Sequence, residues 1–103
     1  MEITGGCLCR AVRYRISAPP LITRVCWCRV LPVMHRRFCP KCGTPMFSEA
    51  EARPTLIFVR AGTLDDPEVA EPAMTIWTSS APSWAVFDPN IQQDERQSPL
   101  PPR

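Results

Sequence analysis

At 103 residues the chain suffices for one small domain and buries only a modest core. Thirteen prolines and 8% aromatic residues argue against long helices or a large core, and no apolar run approaches a membrane span. Net charge is +2, but residues 1–60 hold ten Lys/Arg against three Asp/Glu and residues 61–103 hold two against seven, so a basic half faces either an anion or its own acidic half.

Thr4-Gly5-Gly6-Cys7-Leu8-Cys9 begins with a glycine pair and carries two cysteines at i and i+2, which share a side if the segment is extended. Ala11 to Ile16 alternates, with Val12, Tyr14 and Ile16 on one face and Arg13 and Arg15 on the other, which predicts a half-buried strand. Ser17-Ala18-Pro19-Pro20 stops it. Leu21 to Cys28 again has β character and ends in a second thiol pair, Cys26-Trp27-Cys28. Arg29 to Arg37 follows neither period, is broken by Pro32, and reads as a short basic loop carrying His35.

Cys39-Pro40-Lys41-Cys42-Gly43-Thr44 is a tight knuckle, and Pro45-Met46-Phe47 starts a strand beyond it. Thr55 to Ala61 predicts a strand buried on both sides, and Gly62 to Pro67 a turn and polar loop. Ala73 to Ser79 predicts a last strand with Met74, Ile76 and Thr78 on one face and Trp77 on the other. Ala81 to Phe87 is a short apolar closing segment. Polar residues and three prolines make Gln92 to Arg103 a disordered tail, leaving residues 1–91 as the folded domain. Trp27, Trp77 and Trp84 are expected to pack rather than to bind substrate.

All six cysteines lie in the first 42 residues as three close pairs. A disulfide framework spreads its cysteines, whereas close pairs of mixed spacing suit a metal, here zinc in a reduced cytosolic protein. The knuckle supplies half a tetrahedral site. Either Cys7 with Cys9 or Cys26 with Cys28 supplies the other half.

The phrases Gly5-Gly6-Cys7-Leu8-Cys9, Ala11-Val12-Arg13-Tyr14, Cys26-x-Cys28, Arg37-Phe38-Cys39-Pro40-Lys41-Cys42-Gly43-Thr44-Pro45-Met46-Phe47, Ala61-Gly62-Thr63-Leu64-Asp65-Asp66-Pro67 and Ile76-Trp77 stand in a telling order. Together they resemble the glutathione-dependent formaldehyde-activating enzyme family, which includes centromere protein V. The resemblance implies a mainly β, zinc-stabilised, tent-like fold of short antiparallel sheets, and carbon-sulfur lyase activity on adducts such as S-hydroxymethylglutathione. It implies a structural zinc on Cys7, Cys9, Cys39 and Cys42. It also implies a catalytic zinc on a C-x-C-x2-C set, which maps onto Cys26, Cys28 and position 31.

Position 31 is Leu31, so that second set is incomplete and a second ion is doubtful. Trp27 stands where the family typically has His, and Arg10 where glycine is usual. The segment that separates the catalytic cysteines from the knuckle in the family is missing here between about 29 and 37, leaving His35 as a substitute third ligand. The expectation is therefore a lyase-like protein with weak or lost activity. The alternative is a non-catalytic zinc module whose Arg10, Arg13, Arg15, Arg24, Arg29, Arg36 and Arg37 present a basic face to nucleic acid or another anion, with no recognition helix to read it.

Overall fold

The computed structural model describes residues 2–28 and 34–96. The chain is mainly β, as expected. Its described strands are β1 (Ile3–Gly6), β2 (Arg13–Ile16), β3 (Arg24–Cys26), β4 (Met34–Phe38), β5 (Pro45–Ala50), β6 (Phe58–Val59), β7 (Met74–Ile76) and β8 (Gln92–Gln93). Short 3-10 turns at Ala61–Thr63, Pro67–Ala70 and Thr78–Ser80 connect them. The chain forms two compact units: Met1–Pro19 with Pro32–Val69, and Pro20–Leu31 with Ala70–Arg103. No helix among the described residues is long and apolar enough to cross a membrane.

In the first unit β1 and β2 pair antiparallel, Gly5 facing Tyr14. The alternation read in the sequence is what the strand shows: Val12, Tyr14 and Ile16 are half-buried, while Arg13 and Arg15 are exposed. Tyr14 lies over Gly5, so that a Cβ there would collide with the Tyr14 hydroxyl and the Thr63 carbonyl. The same ring meets Phe47 of β5 edge-on, with centroids 5.1 Å apart. Its hydroxyl donates to Thr63 Oγ1 at 2.7 Å, and that oxygen donates in turn to the Arg60 carbonyl at 2.7 Å. A polar chain therefore ties β2 to the 3-10 turn after β6. Asp65 closes the other end, accepting from Thr4 Oγ1 at 2.6 Å and pairing with Arg13.

The second sheet of this unit has the order β4-β5-β6, antiparallel throughout. β4 corrects the expected basic loop. Its residues Met34 to Phe38 form a strand whose only deeper residue is half-buried Met34, so no alternation could announce it. The pairing with β5 makes the strand instead: Arg37 Nε reaches Glu49 at 3.3 Å and His35 Nε2 reaches Glu51 at 3.0 Å. The strand expected over Thr55 to Ala61 contracts to Phe58–Val59. Ile57 is exposed rather than buried on both sides, because Arg53 and Leu56 spend their amides on turn bonds to Ala50 and Arg53 carbonyls.

The second unit holds a sheet of order β3-β7-β8, whose two pairings are both parallel. The other two described sheets are the short antiparallel ones expected, and this one is parallel. β7 sits at its centre and buries Met74, Thr75 and Ile76 alike, as a parallel strand covered on both faces does. The chain expected to be a tail from Gln92 starts as β8, and Asp94, Glu95 and Arg96 carbonyls accept from Thr78, Ser79 and Trp77 amides. Residues 97–103 lie outside the described residues, as does position 31.

Gly5→Ala should destabilise the chain by about 2 kcal/mol, because the added methyl must displace both Tyr14 and the Thr63 backbone. Gly62→Ala, which meets nothing within 4 Å, should shift stability little. Thermal melts of the two variants beside the unaltered chain check the contrast.

Candidate metal centre

Four of the six cysteines converge in the first unit: the sulfurs of Cys7, Cys9, Cys39 and Cys42 all lie within 4.8 Å of one another. Two turns bring them there. After β1 the chain does not stay extended, as the i, i+2 spacing suggested; the Arg10 amide bonds back to the Cys7 carbonyl at 3.1 Å and Arg10 takes a left-handed φ of 66°. In the hairpin between β4 and β5 the Gly43 amide bonds to the Cys39 carbonyl at 2.8 Å, and the Cys39 amide bonds to the Thr44 carbonyl at 3.0 Å. Gly43 has a φ of 78°, a conformation that its missing Cβ makes inexpensive.

The first turn uses Arg10 where glycine serves the same geometry better. This explains in physical terms why the sequence departure at that position matters. The backbone still needs the left-handed step, and an arginine takes it at some cost.

Backbone amides point at the sulfurs. Val12 N–H donates to Cys7 Sγ at 3.3 Å and Lys41 N–H to Cys39 Sγ at 3.4 Å. Thr44, which the sequence reading singled out only as the end of the knuckle, joins the two turns. Its Oγ1 accepts the Leu8 N–H at 3.2 Å and lies 3.0 Å from Cys42 Sγ. A hydroxyl two residues after the second knuckle cysteine was the available signal for that role.

The donor set fits a tetrahedral ion. Metal–sulfur bonds of about 2.3 Å require sulfurs about 3.8 Å apart. Cys7 and Cys9 are separated by 3.6 Å, and Cys9 and Cys39 by 3.8 Å. Cys7 and Cys39 are buried and Cys9 and Cys42 exposed, so one side of the cluster faces the core and the other water.

The electrostatics favour a cation at the same point. The Val12 N–H holds the Cys7 thiol below its ordinary range. The Thr44 hydroxyl and amide bring Cys42 down to about 5. For Cys9 the Ala11 N–H favours the thiolate, but lost hydration and the sulfurs of Cys7, Cys42 and Cys39 win and push it up to about 12. Converging sulfurs cannot all ionise without a positive charge between them, and a divalent ion supplies that charge.

The other sequence-predicted ligands do not join them. Cys26 and Cys28 are bonded to each other as a disulfide at the end of β3. His35 is held by Glu51, and among the described residues the four cysteines are the one group of three or more ligand side chains close enough to share an ion.

A small mainly β chain built around a four-cysteine knuckle site is the class defined by these features. The family model described as glutathione-dependent formaldehyde-activating enzyme matches residues 32–80, and this stretch of the chain is similar to that family. The match takes in β4, the knuckle, β5 to β7 and the Ala61 to Pro67 phrase, and it leaves Cys7, Cys9, Cys26 and Cys28 outside. No curated protein matches the chain.

Replacing Cys39 or Cys7 by Ser should largely unfold the chain, whereas Cys26→Ser should be tolerated. Metal binding in small domains supplies folding free energy of about 10 kcal/mol or more, comparable to the whole net stability of a domain. Circular dichroism and melting temperature of each variant, and of the unaltered chain with excess EDTA, read this directly; an unchanged melt with EDTA would remove the metal from the fold. Arg10→Gly should act oppositely, stabilising the chain by about 1 kcal/mol through relief of the left-handed backbone.

Proposed function

We propose that this chain is a zinc-structured relative of the formaldehyde-activating enzymes, with one structural zinc on Cys7, Cys9, Cys39 and Cys42 and with weak or lost carbon-sulfur lyase activity. The observation that carries the reading is the four-sulfur cluster, in a chain whose residues 32–80 match that family. The choice of zinc rests on an all-thiolate, closed, four-coordinate donor set, which suits a d10 ion with no geometric demand of its own.

The substrate class that the family suggests is a thiol adduct of formaldehyde, such as S-hydroxymethylglutathione. When bound at a catalytic site, zinc supplies Lewis-acid polarisation of the adduct oxygen. Three protein donors and one open position are the ordinary arrangement for that work. In this chain Cys26 and Cys28 would offer two donors only with the bond between them reduced, and Leu31 has no donor atom to offer as a third. His35 is engaged by Glu51 at 3.0 Å, beside the pairing of β4 with β5. An internal shortening between about 29 and 37 would also remove wall that positions the thiol part of the adduct and keeps water away. The setting that suits this reading is the cytosol, where the four metal-site cysteines stay reduced.

The nucleic-acid reading has less support. Arg13, Arg15 and Arg37, three of the seven arginines of that face, are engaged by Asp65, Glu2 and Glu49. The small-molecule reading is therefore the one adopted.

Purified chain should hold close to one zinc by elemental analysis and turn over S-hydroxymethylglutathione slowly or not at all. Leu31→Cys, which restores the C-x-C-x2-C spacing, should raise the metal content from about one toward about two per chain. Two tightly held ions in the unaltered chain, or strong turnover abolished by Cys26→Ser, would overturn the proposal of an incomplete second site.

A further inference from the structure

The parallel sheet of the second unit carries a cavity of about 420 Å³, and every residue that lines it belongs to that unit. Val25 of β3 and Thr75 of β7 are register partners on adjacent parallel strands, so their side chains stand side by side on one face and form its floor. The chain before β8 forms the wall, through Val86, Phe87 and Ile91. That wall is held in place. Asp88 Oδ1 accepts the Asn90 N–H at 2.9 Å, the Asp88 carbonyl accepts from Gln93 Nε2 at 3.1 Å, and Phe87 packs edge-on against Trp27 with centroids 6.2 Å apart. The volume suits a small molecule built on one ring.

The polar groups of the cavity are few and lie at different depths. Glu71 and Asp88 line it as exposed residues, and among the described residues neither carboxylate enters an ion pair. Negative charge is thus unanswered at the mouth. Thr75 is only 2% exposed, and among the described residues its hydroxyl makes no hydrogen bond. A buried hydroxyl without a partner costs stability unless something in the cavity meets it. Between floor and mouth the surface is that of valine, phenylalanine and isoleucine, and Val86 is left 88% exposed there.

Three ligand classes fail on this arrangement. An anion meets two carboxylates. A bare metal cation asks for about six oxygens at close range, which aliphatic walls do not supply. A hydrocarbon would fill the walls but leave the carboxylates and the Thr75 hydroxyl unpaired. An organic ammonium with an apolar body and a polar far end answers all three surfaces.

We propose that this cavity binds a small free arylalkylamine, with its ammonium at Glu71 and Asp88, its ring against Val86, Phe87 and Ile91, and a ring hydroxyl hydrogen-bonded to Thr75. None of the lining residues is a cysteine, so the site does not rest on the metal centre or on the lyase reading.

The test titrates the full chain as purified with tyramine, followed by amide NMR shifts and calorimetry. Saturable binding is expected with a dissociation constant on the order of 1 mM, and with shifts concentrated at Val25, Thr75 and Val86 to Ile91. 2-Phenylethylamine, which lacks the ring hydroxyl, and 4-ethylphenol, which lacks the ammonium, should each bind at least about threefold more weakly. Glu71→Gln combined with Asp88→Asn should weaken tyramine at least about fivefold, while the new amide oxygen at position 88 still accepts the Asn90 N–H. Thr75→Val should erase the advantage of tyramine over 2-phenylethylamine and keep its advantage over 4-ethylphenol. Melting curves of the variants check the fold, and the three probes on the unaltered chain decide the matter even where a variant melts early. No saturation by about 10 mM tyramine, equal affinity for the three probes, or shifts confined to the first unit would overturn the proposal. Tighter binding of N-acetyl-lysine methylamide than of tyramine would overturn it too, by assigning the cavity to a protein side chain.

Discussion

The first unit depends on the meeting of four sulfurs. Its buried core cluster is Cys7, Cys39 and Met46, with Val12 and Phe47 packed against it, so two of the three buried members are also metal-type ligands. Burial of a few such side chains gives at most about 2 to 3 kcal/mol each, which cannot by itself offset the conformational entropy of ordering the unit. The amides aimed at Cys7 and Cys39 and the hydroxyl of Thr44 hold the sulfurs in a shape that is repulsive without a cation. With an ion bound as proposed, attraction to it would take over the work that hydrophobic packing does in larger domains.

Other parts of the unit are arranged so that this convergence is possible. Gly5 admits the Tyr14 ring, Tyr14 leans on Phe47 beside Met46, and the Tyr14 to Thr63 to Arg60 chain fixes the turn after β6. Arg13 and Asp65 pin β2 to the loop beyond that turn. The Asp65 carboxyl is held below its ordinary range, first by Arg13 and then by Thr4. A carboxyl depressed in the folded state gives stability that is present above the unfolded value near 3.8 and fades as pH falls through the lower folded one. The ion pair is about half exposed on both sides, so solvent screens much of that contribution.

What could be read from the sequence was what rests on local chemistry. The alternation of Val12, Tyr14 and Ile16 against arginines made β2 legible, and the Cys-x2-Cys-Gly spacing made the knuckle legible down to the left-handed glycine. Elements made by pairing alone were not. β4 exposes four of its five residues and exists because β5 lies beside it; β8 is two exposed glutamines set parallel to β7. The apolar run at Leu56 to Val59 misled for the opposite reason: it looked buried, yet turn bonds at Arg53 and Leu56 leave only Phe58 and Val59 to pair. Hydrophobic pattern reports which face a strand would bury, and it says nothing where a strand buries neither face.

The two Cys-x-Cys pairs show how one spacing leads to two chemistries. Spacing sets only how far apart the sulfurs can reach. At Cys7 and Cys9 the chain bends through a left-handed Arg10, and a second turn arrives with two more sulfurs and a threonine that bonds to both turns. Four donors then lie close enough to share one ion. At Cys26 and Cys28 the chain leaves a strand end held to β7, and no third donor among the described residues comes within ligand range. Two thiols so placed can satisfy their valence only with each other or with a partner from solution. A metal site and a sulfur-sulfur bond are thus alternative answers to the same crowding of thiols, and the number of further donors that the fold delivers selects between them.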